Sequence, residues 1–149
     1  SNEAPAVPVI KLLSIDLSSN KINQTILSEK GLELPTIDYK NLSTKAYDHF
    51  FGIAENRKGS FLSQIVKIST KTAQTEAAWH EPDCYPSEAI FVNSNDSDSG
   101  VLVSKVTNAA ENTSFCLVLD SRDLKELCRI QLPHLIPFHF HGQFREGLL

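Results

Sequence analysis

The stretch FLSQIVKISTKTAQTEAAW, residues 61–79, decides the fold. Residues 61–68 read as an apolar strand, Ser69-Thr70-Lys71-Thr72 as a polar turn, and residues 74–79 as the returning strand. The pattern occurs twice more. Residues 9–17 and 22–27 flank the turn Ser18-Ser19-Asn20-Lys21, and residues 114–119 and 127–132 flank a segment, 121–126, that reads as a helical turn. Corresponding positions, Asp16, Ser69 and Asp120, recur roughly every 50 residues, the length of a propeller blade of about four short strands. Such a sheet buries both faces only when neighbours stack beside it. Three blades do not close a ring, so the expectation is an all-β chain forming part of a propeller, with an all-β sandwich of coincidental spacing as the alternative.

Between the hairpins, residues 33–39 read as a short extended piece and residues 47–54 as an aromatic strand. Pro82 and Pro86 break the chain, and residues 88–92 and 101–107 form strands around a polar loop at 93–100. Asp96 and Asp98 in that loop lack the rest of a calcium ligand series, so it reads as solvated. Residues 1–8, rich in Pro and Ala, read as a frayed terminus or loop, and residues 9–149 as one set of blades.

The formal charge of −4, without a Lys/Arg run, argues against a nucleic-acid partner. No apolar run approaches the roughly 18 residues that span a bilayer. Peripheral membrane contact through parts outside this chain stays open. The chain has no Met, which fits an internal or C-terminal piece of something longer. Its three cysteines, Cys84, Cys116 and Cys128, show no zinc-site spacing and suggest a reducing compartment, hence a cytoplasmic location. Cys116 reads as core. Sequons at Asn23, Asn41, Asn95 and Asn112 read as chance in a chain rich in Asn, Ser and Thr.

The last segment, IPFHFHGQF at 136–144, reads as a strand with His139 and His141 on one face and Phe138 and Phe140 on the other. Paired imidazoles before a glycine suggest a site, although a lone buried histidine is more often a hydrogen-bonded core residue than a metal ligand.

Several strings, in order, carry a family resemblance: LELPTIDY at 32–39, YDHFFG at 47–52, YPSEAIFV at 85–92, SGVLVS at 99–104, LVLD at 117–120 and IPFHFHG at 136–142. Together they resemble the C-terminal part of the carotenoid cleavage oxygenases, from about residue 9 to the end. The YPSE string with the terminal FHG is the most specific pair and is more typical of the animal branch.

The resemblance implies the C-terminal blades of a seven-bladed β-propeller and a ferrous iron, Fe(2+), held on its axis by four histidines. His141 matches the last of the four, and the other three would lie upstream of this chain. His49, His80, His134 and His139 match no ligand position. His139 departs from the family's usual residue. Glu88 and Glu33 match two carboxylates that accept N–H bonds from ligating histidines, Glu88 from His141 and Glu33 from an absent ligand. A carboxylate in that place fixes tautomer and ring orientation and raises imidazole basicity.

The implied activity is cleavage of a carotenoid or apocarotenoid double bond by O2 to give two carbonyl products. Four neutral imidazoles would leave an iron its full charge and two open positions for that chemistry. Phe138, Phe140 and Trp79 are candidate tunnel-lining residues, with core packing as the plainer reading. The alternatives are the retinoid isomerohydrolase reaction of the same family, or a truncated, non-catalytic propeller fragment.

Overall fold

The computed structural model describes residues 9–28, 31–57, 59–93, 100–145 and 147. The expected frayed segment 1–8 and the polar loop at 94–99 lie outside the described residues. Among the described residues, eleven strands and one short helix follow in chain order: β1 Ile10–Asp16, β2 Lys21–Ser28, β3 Leu32–Thr36, α1 Tyr39–Leu42, β4 His49–Glu55, β5 Leu62–Ser69, β6 Thr75–His80, β7 Cys84–Pro86, β8 Ile90–Asn93, β9 Gly100–Asn108, β10 Thr113–Asp120 and β11 Glu126–Gln131. They form a β1–β2 hairpin, a sheet of order β3-β4-β5-β6, and a sheet of order β11-β10-β9-β7 in which β8 also pairs with β9.

The hairpins repeat in detail. Asp16 accepts the Ser18 amide at 2.9 Å, Asp120 accepts the Arg122 amide at 2.8 Å, and Ser69 Oγ accepts the Lys71 amide at 3.3 Å. In each turn the fourth residue onward adopts a left-handed conformation: Asn20 at φ 54°, Ala73 at φ 58° and Leu124 at φ 58°. A short polar side chain at the end of the outgoing strand satisfies the turn's amides locally. The Ser18 hydroxyl, with that of Ser19, holds the Asp16 carboxyl well below the usual carboxylate range. Arg122 brings Asp120 down to about 2. The segment at 121–126 is a turn running into β11 rather than helical.

The three sheets stack in chain order with a core in each gap. Leu27 of β2 packs with Leu32, Phe50, Ala54, Val66 and Ile68 of the middle sheet. The other face of that sheet, with Phe51, Ile53, Ile65 and Trp79, meets Leu102, Val106, Phe115 and Leu117 of the last. Alternation along β4 sends Phe50 and Ala54 one way and Phe51 and Ile53 the other, so the middle sheet is buried on both faces. Each such side chain contributes about 1.5–3 kcal/mol of burial. The outermost elements lack this cover. Ile15 and Ile22 are each 62% exposed, and all six residues of β11 are exposed. An end blade missing its neighbour has this distribution.

Four expectations need correction. Residues 136–144 do not form a strand: Pro133 and Pro137 lack amide donors, and the Ile136 amide bonds the Ser114 hydroxyl instead of a ladder partner. The extended piece at 33–39 ends early, because Asp38 accepts the Asn41 amide and caps α1. Pro86 does not break the chain but closes β7, at the sheet edge, where no further ladder amide is needed. Among the cysteines, Cys84 is the fully buried one and Cys116 only half-buried.

Candidate metal centre

The edge of the last sheet next to β9 is formed by two short strands, β7 and β8. Pro86 pairs with Val106 and Ile90 with Val103, so Ser87, Glu88 and Ala89 stand opposite only Ser104 and Lys105. This is a one-residue bulge, which re-aims the side chain it carries. It is pinned by the Ser87 amide donating to the Lys105 carbonyl at 2.8 Å and the Ser104 hydroxyl donating to the Ser87 carbonyl at 2.8 Å. Ser87 and Ala89 are fully buried, and Glu88 between them turns out of the sheet with its side chain 21% exposed.

The chain after β11 runs back over this blade as a strap. Ile136 sits at Ser114, Phe138 meets Phe61 edge-on with ring centres 5.2 Å apart, and Phe61 in turn meets Tyr85 of β7. Further along, Gly142 donates its amide to Glu88 Oε2 at 3.0 Å. His141 Nδ1 lies 3.5 Å from the same oxygen, and its side chain is 78% exposed. Gly142 packs closely on β8: a Cβ there would stand 3.0 Å from the tip of Ile90, Cδ1. A cavity of about 400 Å3 beside the pair is lined by Thr36, Tyr39, Glu88, Ile90, Gly142 and Phe144.

Nδ1 is therefore the nitrogen of His141 that faces a carboxylate, which leaves Nε2 as the one for a metal. The donor set suits one corner of a histidine site. Among the described residues no three His, Cys, Asp or Glu side chains converge as a metal cluster. Glu33 lies apart from this pair, exposed on β3, in register with Ile53 and beside another irregularity where Leu34 takes φ 52°. Both carboxylates thus sit at interruptions along edge strands of consecutive sheets.

The remaining histidines have separate settings. His139 is half-buried with its Nδ1 unpartnered, and burial, then the charge of Lys105, push its pKa down against the pull of Glu88. His49 is pushed down by burial and then by Lys67. His80 Nε2 accepts from the Asn56 amide group at 2.9 Å, so its Nδ1–H donates to the Ser63 carbonyl at 2.9 Å. His134 is exposed. Trp79 belongs to the core, while Phe138 and Phe140 pack on each other at 5.7 Å.

Sequence reasoning missed the Gly142 amide and the strap's anchor at Lys105, whose ammonium reaches the Ile136 and Pro137 carbonyls at 3.2 and 2.9 Å. No local signal marks a lysine in a mid-blade strand for that role.

The family described as retinal pigment epithelial membrane protein matches residues 3–146. A human protein named carotenoid-cleaving dioxygenase, mitochondrial, is 35% identical over 130 residues, which cover 84% of this chain and 22% of that protein. The chain thus spans about a fifth of this relative's length. Among solved structures, a variant of the Synechocystis apocarotenoid oxygenase superposes with a TM-score of 0.81 at 20% identity, over 91% of this chain and 29% of that one. Its cobalt-substituted form gives 0.80 at 20% identity over the same shares. That likeness carries the fold: the sheets are blades of a β-propeller, and the sandwich alternative falls. The cytoplasmic location expected from the cysteines is overturned by the mitochondrial names of the curated relatives. A reducing environment, which is all that cysteine usage addresses, is not peculiar to the cytoplasm. With the family matched over nearly its whole length and the fold shared with solved members, the chain belongs to the carotenoid cleavage oxygenases.

Proposed function

We propose that residues 9–149 are the C-terminal blades of a larger iron(II)-dependent dioxygenase that cleaves a carotenoid or apocarotenoid. His141 supplies one of four histidine ligands through Nε2. Glu88 accepts the Nδ1 proton, fixing the tautomer and making the imidazole a better donor to a cation. Glu33 does the same for a histidine outside this chain. The observation that carries the reading is the approach of Glu88 Oε2 to both His141 Nδ1 and the Gly142 amide. At 3.5 Å the histidine contact is long for a full hydrogen bond, and such contacts commonly tighten when a site is filled.

An iron held by His141 and three histidines outside this chain would supply a redox centre for O2-dependent cleavage of a double bond. The chain's own part is to orient one ligand. The carboxylate holds the proton at Nδ1, the bulge fixes the carboxylate, and the strap presents the ring. The mitochondrial names of the relatives support a mitochondrial location for the full-length protein, which organelle fractionation checks.

The test is iron content and polyene cleavage by the full-length polypeptide and its His141→Ala variant. Loss of most iron and activity is expected, and an unchanged iron content would remove His141 from the ligand set. A non-catalytic scaffold is the second reading; with three ligands expected outside this chain, its described residues hold no complete cluster under either reading. A full-length sequence without three further histidines on the inner strands would establish it. Labelled oxygen appearing in the products separates dioxygenase from isomerohydrolase chemistry.

A further inference from the structure

Lys105 lies in the middle of β9, opposite Cys116 of β10. Its side chain shares a face with the half-buried Val101, Val103 and Thr107, whereas Leu102, Ser104 and Val106 turn into the core. A lysine in such a place needs acceptors for three N–H groups. It has them: Thr107 Oγ1 at 2.9 Å, the Ile136 carbonyl at 3.2 Å and the Pro137 carbonyl at 2.9 Å. The same ammonium stands 5.9 Å from the centre of the Phe138 ring. Burial lowers its pKa, as expected for an ammonium taken partly out of water.

These bonds replace a strand ladder. The strap forms no sheet, so its carbonyls need donors from side chains. The Ile136 carbonyl also accepts from Thr107 Oγ1 at 3.1 Å and Ser114 Oγ at 3.2 Å. Beyond Phe138 the strap is next held at Gly142, by Glu88. His141 lies between an anchor at 136–137 and an anchor at 142, and freedom at the first becomes freedom of the imidazole.

We infer that Lys105 is a positioning residue for the His141 ligand, clamping the strap at Ile136 and Pro137 so that the imidazole is presented beside Glu88 before metal arrives. The inference rests on the proposed ligand role of His141 for its metal readout, while the ordering of the strap is independent of it.

The experiment uses the full-length protein and its Lys105→Met, Lys105→Arg and His141→Ala variants. Amide exchange is followed across residues 138–144, with β9 and β10 as folding controls, together with Fe(II) affinity and kcat at saturating Fe(II). Lys105→Met is expected to speed exchange across the strap by about 10-fold or more and to weaken Fe(II) affinity about 10-fold, within the range for groups that support metal ligands. Its kcat at saturating Fe(II) should stay near that of the parent, and Lys105→Arg should restore much of both losses. Unchanged strap exchange in a folded Lys105→Met protein overturns the clamp. If that variant does not fold, strap exchange in Lys105→Arg equal to that of a Lys105→Gln variant overturns it as well. Full iron retention by His141→Ala, with faster strap exchange in Lys105→Met, would refute the ligand reading and leave the clamp standing.

Discussion

One oxygen of Glu88 serves two neighbours: Oε2 accepts the Gly142 amide at 3.0 Å and stands 3.5 Å from Nδ1 of His141. The hydrogen bond from the Gly142 amide joins positions 54 residues apart and fixes the backbone next to the imidazole, while the longer contact sets Nδ1 of the ring facing the same oxygen. Removing the carboxylate therefore releases both at once. In the full-length protein, Glu88→Ala should weaken metal affinity or activity by roughly 10–100-fold. Glu88→Gln, which can still accept the Gly142 amide, should lose less. Metal titration of the two variants checks the order, and equal affinity for parent and Glu88→Ala would return Glu88 to a surface role.

Gly52 of β4 faces the irregularity in its partner β3, between the Glu33–Ile53 and Thr36–Phe51 pairs. A Cβ there would meet Leu32 Cδ2 at 2.5 Å and the Glu33 backbone oxygen at 3.1 Å. The leucine tip can move, but the backbone of β3 cannot without shifting Glu33. Gly52→Ala should cost about 1–3 kcal/mol through overpacking. Chemical denaturation of the full-length protein checks it, and an unchanged midpoint would mean that the β3 backbone yields freely.

Arg129 joins Glu81 and Glu126 at 2.7 and 2.6 Å and lies 4.5 Å from the Phe115 ring centre. Its guanidinium holds both carboxyls below the ordinary glutamate value. A depressed folded pKa stabilises above the unfolded value, about 4.3, and that stability is lost as the pH falls through the folded pKa. Arg129→Ala should lower stability by about 1 kcal/mol near neutrality, since partly exposed pairs of this kind contribute ~0.2–1 kcal/mol each. The difference from the parent should shrink below about pH 4. Thermal melts of both proteins from pH 3 to 7 check this, and a difference that grows toward acid would contradict it.

The 149 residues alone carry one candidate ligand and two end sheets with uncovered apolar faces. Ile15 of β1 is 62% exposed and Ile130 of β11 58%. The isolated chain should take up less than stoichiometric iron, bind an apolar dye and associate at micromolar concentration. A monodisperse monomer that ignores the dye would mean that these faces are covered without further blades.

Local chemistry made the blades legible in the sequence. Asp16, Ser69 and Asp120 each satisfy the amides of their own turn, so the hairpins are specified within a few residues, and their spacing gave the repeat. The YPSE string drew attention to Glu88 because the residues that build the bulge are contiguous. The strap was misread as a strand: period-2 alternation at 136–144 is real, but its carbonyls go to side chains of β9 and β10, and no pattern in the strap names those partners.

By itself, then, the sequence determined the three hairpins, their repeat and the family, because turns, alternation and motif strings are written in neighbouring residues. The pairing of Glu88 with His141 was already implied by the family resemblance; tertiary structure alone decided that the Gly142 amide shares that carboxylate and that Lys105 holds the approach to it. Those contacts join segments tens of residues apart, through a bulge whose register and a strap whose path are fixed only when the sheets pack.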